Sequence, residues 1–211
     1  MDLDRTETVG TAKVSAAGAA PTPAPAALPR FAVVDIETSG LSLRRHRILQ
    51  VAVVTVESGR IVDEWSTLVR LRWPWQRVGP RRVHGITRRS LRGAPTLDQT
   101  LAELGRRLDG AVFTAHNVAF DWSFVRRAAE RNGTPIPTPP RLCTLWMSRR
   151  LDPDRTQPHR LADLCERYGV SNDRPHDALA DARATAQVLP HLLAAHGVVA
   201  AADLDALYER R

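Results

Sequence analysis

Residues 31–41 of the chain read FAVVDIETSGL, an apolar run that ends in two acidic residues and a short polar turn. Such a β-branched run predicts a buried strand. Side chains two positions apart on a strand project from the same face, so Asp35 and Glu37 would present two carboxylates side by side. Like charges this close repel unless a cation intervenes, and a divalent ion with hard oxygen ligands, such as Mg²⁺, fits that requirement. The alternative is structural: Asp35 starts a turn and Glu37 is a solvated surface residue.

The flanking sequence alternates between strand and helix patterns. Strands are predicted over residues 48–56 and 61–71, joined by the Ser58-Gly59 turn into an antiparallel meander, and residues 73–84, rich in proline and glycine, are predicted to form a loop. A helix is then predicted to begin with a Thr96/Gln99 capping box and to end before Gly110, and a strand follows over 111–115. The next helix, over 118–131, is closed by Asn132-Gly133 and leads into a rigid connection over 135–140. Two more helices are predicted, over 161–168 and from 177 to about 196.

Pro190 is expected to kink or split the last helix, because proline removes one backbone hydrogen bond and its ring crowds the preceding turn. Strands first, followed by alternating helices and strands, predict an α/β fold in which a mixed sheet is covered by helices. The arrangement that fits this order is ribonuclease H-like.

The length and composition predict one soluble domain, which we expect to be catalytic. The chain has 211 residues, 43% hydrophobic and 25% charged, and no apolar run approaches the roughly 20 residues of a membrane span. Residues 1–29 are rich in alanine and proline and are predicted to be a disordered tail, which leaves residues 30–211 as the domain. Cys143 and Cys165 have no C-x-x-C partner, so we expect reduced thiols in a cytoplasmic protein.

The net charge of +7 and the pI near 10.7 favour a polyanionic partner, because arginine and lysine displace the counterions of phosphates. Lys13 is the only lysine, so the arginine excess has a second explanation in a GC-rich genome. Arginines cluster after the first acidic motif, at 44, 45 and 47, and around His84, at 81, 82, 88 and 89. These clusters are expected either to steer a sugar-phosphate backbone or to form a solvated basic face.

Two further acidic motifs follow. Residues 116–121 read HNVAFD and put Asp121 in the first turn of a helix, where the helix dipole favours a negative charge. Residues 176–185 read HDALADARAT, at the start of the last long helix, and helical spacing predicts that His176 and Asp181 are splayed, one toward a metal and one toward a water. Taken alone, each of these two motifs is explained better by helix structure than by function.

Together the three motifs resemble the DEDDh exonucleases, which include the proofreading epsilon subunit of bacterial DNA polymerase III, ribonuclease T and oligoribonuclease. The resemblance covers about residues 31–189. Asp35 and Glu37 match the first motif, Asp121 the second, and His176 with Asp181 the third. It implies a ribonuclease H-like fold with a mixed five-stranded sheet flanked by helices.

The resemblance also implies the roles of these residues. Two divalent ions, Mg²⁺ with Mn²⁺ as a substitute, would be held by the four carboxylates, and His176 would take the proton of the attacking water. The product would be a nucleoside 5′-monophosphate. The residues expected to hold the 3′-terminal nucleotide are Thr38, Ser39, Leu41, His84 of a His-Gly-Ile segment, Asn117 and Phe120. Phe120 and Trp122 are considered as stacking surfaces for bases, with a core position as the alternative for Phe120.

The expected substrate is the 3′ end of DNA, single-stranded, in proofreading, repair or end trimming. Two alternatives stay open: a 3′–5′ exoribonuclease, because carboxylates do not distinguish the sugars, and a non-catalytic nucleic-acid-binding module. Only about 22 residues follow Leu189, where polymerase-tethered members carry a clamp-binding extension. A stable attachment to a polymerase or clamp is therefore not expected.

Overall fold

A five-stranded sheet organises the chain. The structure is a computed structural model that describes residues 28–209. Its strands are β1 (Phe31–Thr38), β2 (Ile48–Glu57), β3 (Arg60–Leu68), β4 (Val112–Ala115) and β5 (Arg141–Cys143). They lie in the order β3-β2-β1-β4-β5; the first three are antiparallel, whereas β4 and β5 run parallel to β1. The predicted mixed five-stranded sheet is confirmed.

Helices cover both faces of this sheet. In the described part of the chain they are α1 (Arg81–His84), α2 (Leu97–Leu108), α3 (Val118–Asn132), α4 (Thr144–Arg150), α5 (Leu161–Tyr168), α6 (Ala178–Ala195) and a 3₁₀ helix over Ala201–Leu204. The Thr96/Gln99 capping box is present, and Gly133 and Gly169 end α3 and α5 in left-handed conformations. None of the helices described is both long and apolar enough to cross a membrane.

The two faces of β1 belong to two separate hydrophobic clusters. Phe31 and Val33 pack with α4, α5 and α6, whereas Val34 and Ile36 pack with α2 and α3. This division explains why β1 reads as a continuous apolar run, since a strand that is covered on both sides has no solvent-facing position. By the same alternation, Asp35 projects from the face that α6 covers.

β1 extends beyond the end of β4. The two strands pair only from Phe31 to Val33, so the last part of β1 has no strand partner on that side. The N-terminal turn of α3 comes next in the chain after β4. This overhang is the place where side chains from several elements can meet.

Four predictions about elements are wrong or incomplete. β3 ends at Leu68, before the predicted residue 71, and the short helix α1 lies inside the predicted loop 73–84. β5 and α4 were not predicted, because a three-residue strand behind the proline-rich residues 135–140 has no periodicity to read. Pro190 does not split the last helix, since α6 is continuous through it; the flanking turns are buried in the core, and this packing offsets the missing hydrogen bond.

The predicted disordered tail, residues 1–29, lies outside the described residues except for its last two. The boundary at residue 30 and the disorder of the tail therefore stay predictions. Both cysteines are free; Cys165 is buried and Cys143 is half-buried.

Candidate active site

The first acidic pair lies at the overhanging end of β1. Asp35 and Glu37 are both half-buried and occupy alternate positions, so their side chains project from one face, as predicted. The pairing of β1 with β2 shifts register between Glu37 and Thr38. Such irregularities occur beside active sites, where they redirect a side chain or end a strand pairing.

Asp121 reaches this strand end from α3. It lies in the first turn of the helix and is only 5% exposed. Burial raises the pKa of its carboxyl to about 8, although the backbone amides of Asp121 itself and of Ile36 oppose the increase, and the charge of Glu37 adds to it. Because the Ile36 amide is on the part of β1 that extends past β4, the overhang offers this carboxylate a hydrogen-bonding partner.

Asp181 and His176 complete the group from the start of α6. One ligand atom each of Glu37, His176 and Asp181 lies within 4.8 Å of the others. The predicted splaying of His176 and Asp181 is wrong, because His176 precedes the helix and has a left-handed φ of 66°. Its backbone N–H donates to Asp181 Oδ2 over 3.0 Å, and this turn brings the imidazole back toward the carboxylates.

Two residues that were not predicted from the sequence support this turn. The Asn172 side chain donates to Asp181 Oδ1 over 2.7 Å, so both oxygens of Asp181 are held. Asp177 is the N-cap of α6 and accepts from the N–H of Ala180 over 3.1 Å. The Asp177 cap could have been read from the acidic residue before the alanine-rich helix, but nothing in the local sequence indicates the contact of Asn172 across nine positions.

The cluster carries an excess of buried negative charge. Burial raises the pKa of Asp35 well above its ordinary value, and the charges of Asp121, Asp181, Glu37 and Asp177 add to that effect in this order. Burial, followed by the charges of Asp181 and Asp177, raises the pKa of Glu37 to about 8. Carboxylates crowded out of water in this way are unfavourable when charged, and a divalent cation with oxygen ligands removes the penalty. The donor set therefore fits the predicted metal.

The predicted residues after the first motif form a tight loop. Thr38 and Ser39 are buried, and the Thr38 hydroxyl donates to the carbonyl of Gly40 over 2.8 Å. Ser39 Oγ accepts from the N–H of Arg47 over 2.9 Å. Leu41 is 82% exposed and lies in the same loop after β1. Their contacts with a nucleotide stay predictions.

The other predicted binding residues lie on α1 and α3. His84 is buried; its Nδ1 accepts from the N–H of Ile86 over 3.0 Å, and burial lowers its pKa. Asn117 is exposed and its carbonyl accepts the first amides of α3. Phe120 is half-buried, with its ring centroid 4.9 Å from that of Phe124, which agrees with the core alternative.

Trp122 is not a stacking surface for bases. It is 7% exposed, and its ring meets that of Phe113 edge-on at 5.3 Å. Helical spacing explains this outcome, because Trp122 follows Asp121 and turns toward the core cluster under α3. The exposed aromatic pair of the molecule, Trp73 and Trp75, lies instead in the loop that follows β3.

The chain matches a known family over most of its length. The family model RNase_T, described as Exonuclease, covers residues 32–189. A protein of Mycobacterium tuberculosis (strain CDC 1551 / Oshkosh), named as a bifunctional exonuclease/endonuclease, is 37% identical over 172 residues, 77% of this chain and 26% of the relative. The PolC-type DNA polymerase III of Streptococcus thermophilus is 34% identical over 159 residues, 75% of this chain and 11% of the polymerase. The chain thus spans about a quarter or less of the length of these relatives.

Solved structures give the same assignment. Exonuclease X in complex with 5′ overhanging duplex DNA has a TM-score of 0.62 and 27% identity, over 81% of this chain and 94% of that one. The nuclease domain of 3′hExo, a DEDDh family member bound to rAMP, has a TM-score of 0.71 over 89% of this chain and 100% of that one; at 17% identity this likeness shows the fold alone. The ribonuclease H-like fold is confirmed, and the chain belongs to the exonuclease family that the RNase_T model describes.

Proposed function

We propose that this chain is a divalent-metal-dependent 3′–5′ exonuclease that hydrolyses phosphodiester bonds at the 3′ end of DNA and releases nucleoside 5′-monophosphates. The observation that carries the proposal is the convergence of five side chains from three distant segments: Asp35 and Glu37 from β1, Asp121 from α3, and His176 with Asp181 from the start of α6. The free cysteines agree with a cytoplasmic enzyme.

The four carboxylates would hold two ions, Mg²⁺ or Mn²⁺. When bound, such ions neutralise the charge of the phosphate and lower the pKa of a water molecule. The burial and crowding of Glu37 and Asp121, which raise the pKa of each carboxyl to about 8, support this assignment because bound cations would offset that penalty. The Asn172 and His176 contacts orient Asp181, whose two oxygens would otherwise rotate freely.

His176 is the proposed general base. Its side chain is exposed, and one ring nitrogen lies near the oxygens of Glu37 and Asp181. A neutral imidazole nitrogen accepts protons, so the ring would take the proton from the attacking water and pass it to solvent. The hydrogen bond from its own N–H to Asp181 fixes the backbone from which the ring projects.

Single-stranded DNA is the proposed substrate. The similar Exonuclease X structure is a complex with DNA, and the exposed arginines at 44 and 45 after the first motif suit a phosphate backbone. A 3′–5′ exoribonuclease is the second candidate, because the similar 3′hExo domain is bound to rAMP. The 2′-hydroxyl decides between them, since only RNA offers that donor and acceptor.

The test uses 5′-labelled single-stranded DNA and RNA of the same sequence with Mg²⁺ or Mn²⁺. We expect a DNA ladder that shortens from the 3′ end and is abolished by EDTA and by Asp35→Asn. The control is Asp154→Asn, which removes one carboxylate from an exposed loop and should leave the ladder unchanged. An RNA-only ladder would select the exoribonuclease, and binding without cleavage would select a non-catalytic module.

A further inference from the structure

A broad groove borders the loop that follows the first acidic pair. Its volume is about 1450 Å³, and its walls come from the loop after β1, the loop after β3 and one side of α3. The loop after β3, residues 69–79, contributes Trp73 and Trp75. α3 contributes Phe124, Arg127 and Arg131. None of the roles given to the five converging side chains uses this surface.

Two tryptophans form a stack in this groove. The rings of Trp73 and Trp75 are 5.2 Å apart and within 7° of parallel, and the guanidinium of Arg72 lies 5.0 Å from the centre of the Trp73 ring. The turn is held by Gln76, whose side chain accepts from the Trp73 N–H over 3.0 Å and whose carbonyl accepts from Arg88. Trp75 is nevertheless 73% exposed. A rigid, solvent-facing aromatic surface of this kind favours a flat partner.

The groove is strongly basic. Seven of its lining residues are arginines, and Asp98 is the one carboxylate among the described lining residues. The Asp98 carboxylate already accepts from Asn132 and Thr134. Burial, followed by the nearby charges of Arg47, Arg127 and Arg44, lowers the pKa of Arg131, which means that these guanidinium groups repel one another. A polyanion in the groove would relieve that repulsion.

The groove is continuous with the loop that follows the first acidic pair. Ser39, two positions after Glu37, is one of its lining residues. Gly79, at the end of the tryptophan loop, lies so close to Ser39 that a Cβ there would stand 2.2 Å from the Ser39 carbonyl oxygen. The groove therefore begins within two positions along the chain of the first acidic pair.

We propose that this groove binds the single-stranded part of the substrate beyond its 3′-terminal nucleotide, with a base stacked on Trp75 and the phosphates along the arginines. The inference rests on the proposed function for the direction of the strand. Stacking on an aromatic side chain needs an unpaired base, because bases in a duplex already stack on each other. An acidic protein segment would match the charge of the groove but would leave the indole faces without a flat partner.

The first experiment measures binding by fluorescence anisotropy, in the Asp35→Asn background so that no cleavage occurs. Trp75→Ala should weaken binding of a single-stranded oligonucleotide of roughly ten nucleotides by about tenfold, which is the effect of losing one stacked base. Trp146→Ala is the matched control, because Trp146 is 40% exposed, has Arg150 4.6 Å from its ring, and does not line the groove. Equal affinities of the two variants would overturn the proposal.

The second experiment tests the phosphate contacts through the salt dependence of binding. Arg126 and Arg127 are neighbouring exposed residues of α3 that both pair with Glu130, but only Arg127 lines the groove. Arg127→Gln should reduce the slope of log affinity against log salt by about 0.7 per lost contact, and Arg126→Gln should leave it unchanged. Equal slopes would overturn the proposal.

The two hypotheses can fail separately. Binding that depends on Trp75 and Arg127 in a protein without nuclease activity would retain the groove and reject the exonuclease. A 3′–5′ ladder whose rate and length dependence are the same in Trp75→Ala and the unsubstituted protein would retain the exonuclease and reject the groove. A loss of affinity in Trp75→Ala that is equally large for a blunt duplex would reject base stacking.

Discussion

Replacing Asp121 with asparagine should stabilise the metal-free protein. The carboxyl is 5% exposed, and burial raises its pKa from an ordinary 3.8 to about 8. A group with a raised pKa in the folded state contributes stability below its unfolded pKa, and that contribution is lost as the pH rises toward the folded pKa. Asparagine keeps an oxygen for the backbone amides and never ionises.

The expected magnitude follows from the two pKa values of Asp121. Each tenfold difference in proton affinity between the folded and unfolded chain is worth about 1.4 kcal/mol. At pH 7 the wild-type carboxyl therefore costs on the order of 4 kcal/mol relative to a pH below its unfolded pKa, and at pH 5 less than half of that. For a domain of this size, a gain on the order of 4 kcal/mol corresponds to a rise in Tm of roughly 10 °C.

The assay is urea unfolding followed by far-ultraviolet circular dichroism, in EDTA, at several pH values between 5 and 8 (roughly the range in which the shifted carboxyl titrates). The advantage of Asp121→Asn over the unsubstituted protein should increase with pH, whereas Asp154→Asn, in an exposed loop, should show no such trend. Added Mg²⁺ should stabilise the unsubstituted protein more than the variant, because only the former keeps its full set of ligands. A destabilised variant, or an advantage that does not change with pH, would refute the reasoning.

Three further changes have defined outcomes. Asn172→Ala should reduce exonuclease activity about 10- to 100-fold and raise the Mg²⁺ concentration needed for half-maximal rate, because Asp181 loses a hydrogen bond that orients it; an unchanged Mg²⁺ titration would contradict this role. Thr96→Ala should lower the free energy of unfolding by about 1 kcal/mol, because α2 loses its N-cap, and urea unfolding measures it. Gly79→Ala should destabilise the protein by more than about 1 kcal/mol and weaken oligonucleotide binding, because its φ is +79° and the new Cβ would meet Ser39; wild-type stability and binding would show that the loop adapts.

The sequence was sufficient for elements whose residues carry a periodic pattern or a cap. β1 could be predicted from its continuous apolar run, because both of its faces are buried. The start of α2 could be predicted because Thr96 and Gln99 form a capping box. β5 could not be predicted, because its three residues form a strand only through their pairing with β4. The same limit applies to α4, which follows β5 without a polar cap.

The candidate site divides in the same way. Asp35 and Glu37 could be paired from strand alternation, and the convergence of all five side chains could be expected from resemblance alone, because the segments are separated by many residues. The position of His176 could not be predicted by helical geometry, since it depends on a left-handed turn before α6. Asn172 was missed for a related reason: its partner lies across a turn whose path is set by packing.

The overhang of β1 past β4 has a consequence for how the enzyme would lose activity. Asp121 comes from the helical layer on one side of the sheet and Asp181 from the layer on the other, so neither layer alone contains a working centre. If the helices on either face of the sheet detached, catalysis would stop although much of the remaining structure stayed folded. The exonuclease rate is therefore a more sensitive measure of whether both helical layers are packed against the sheet than any spectroscopic measurement of helix content.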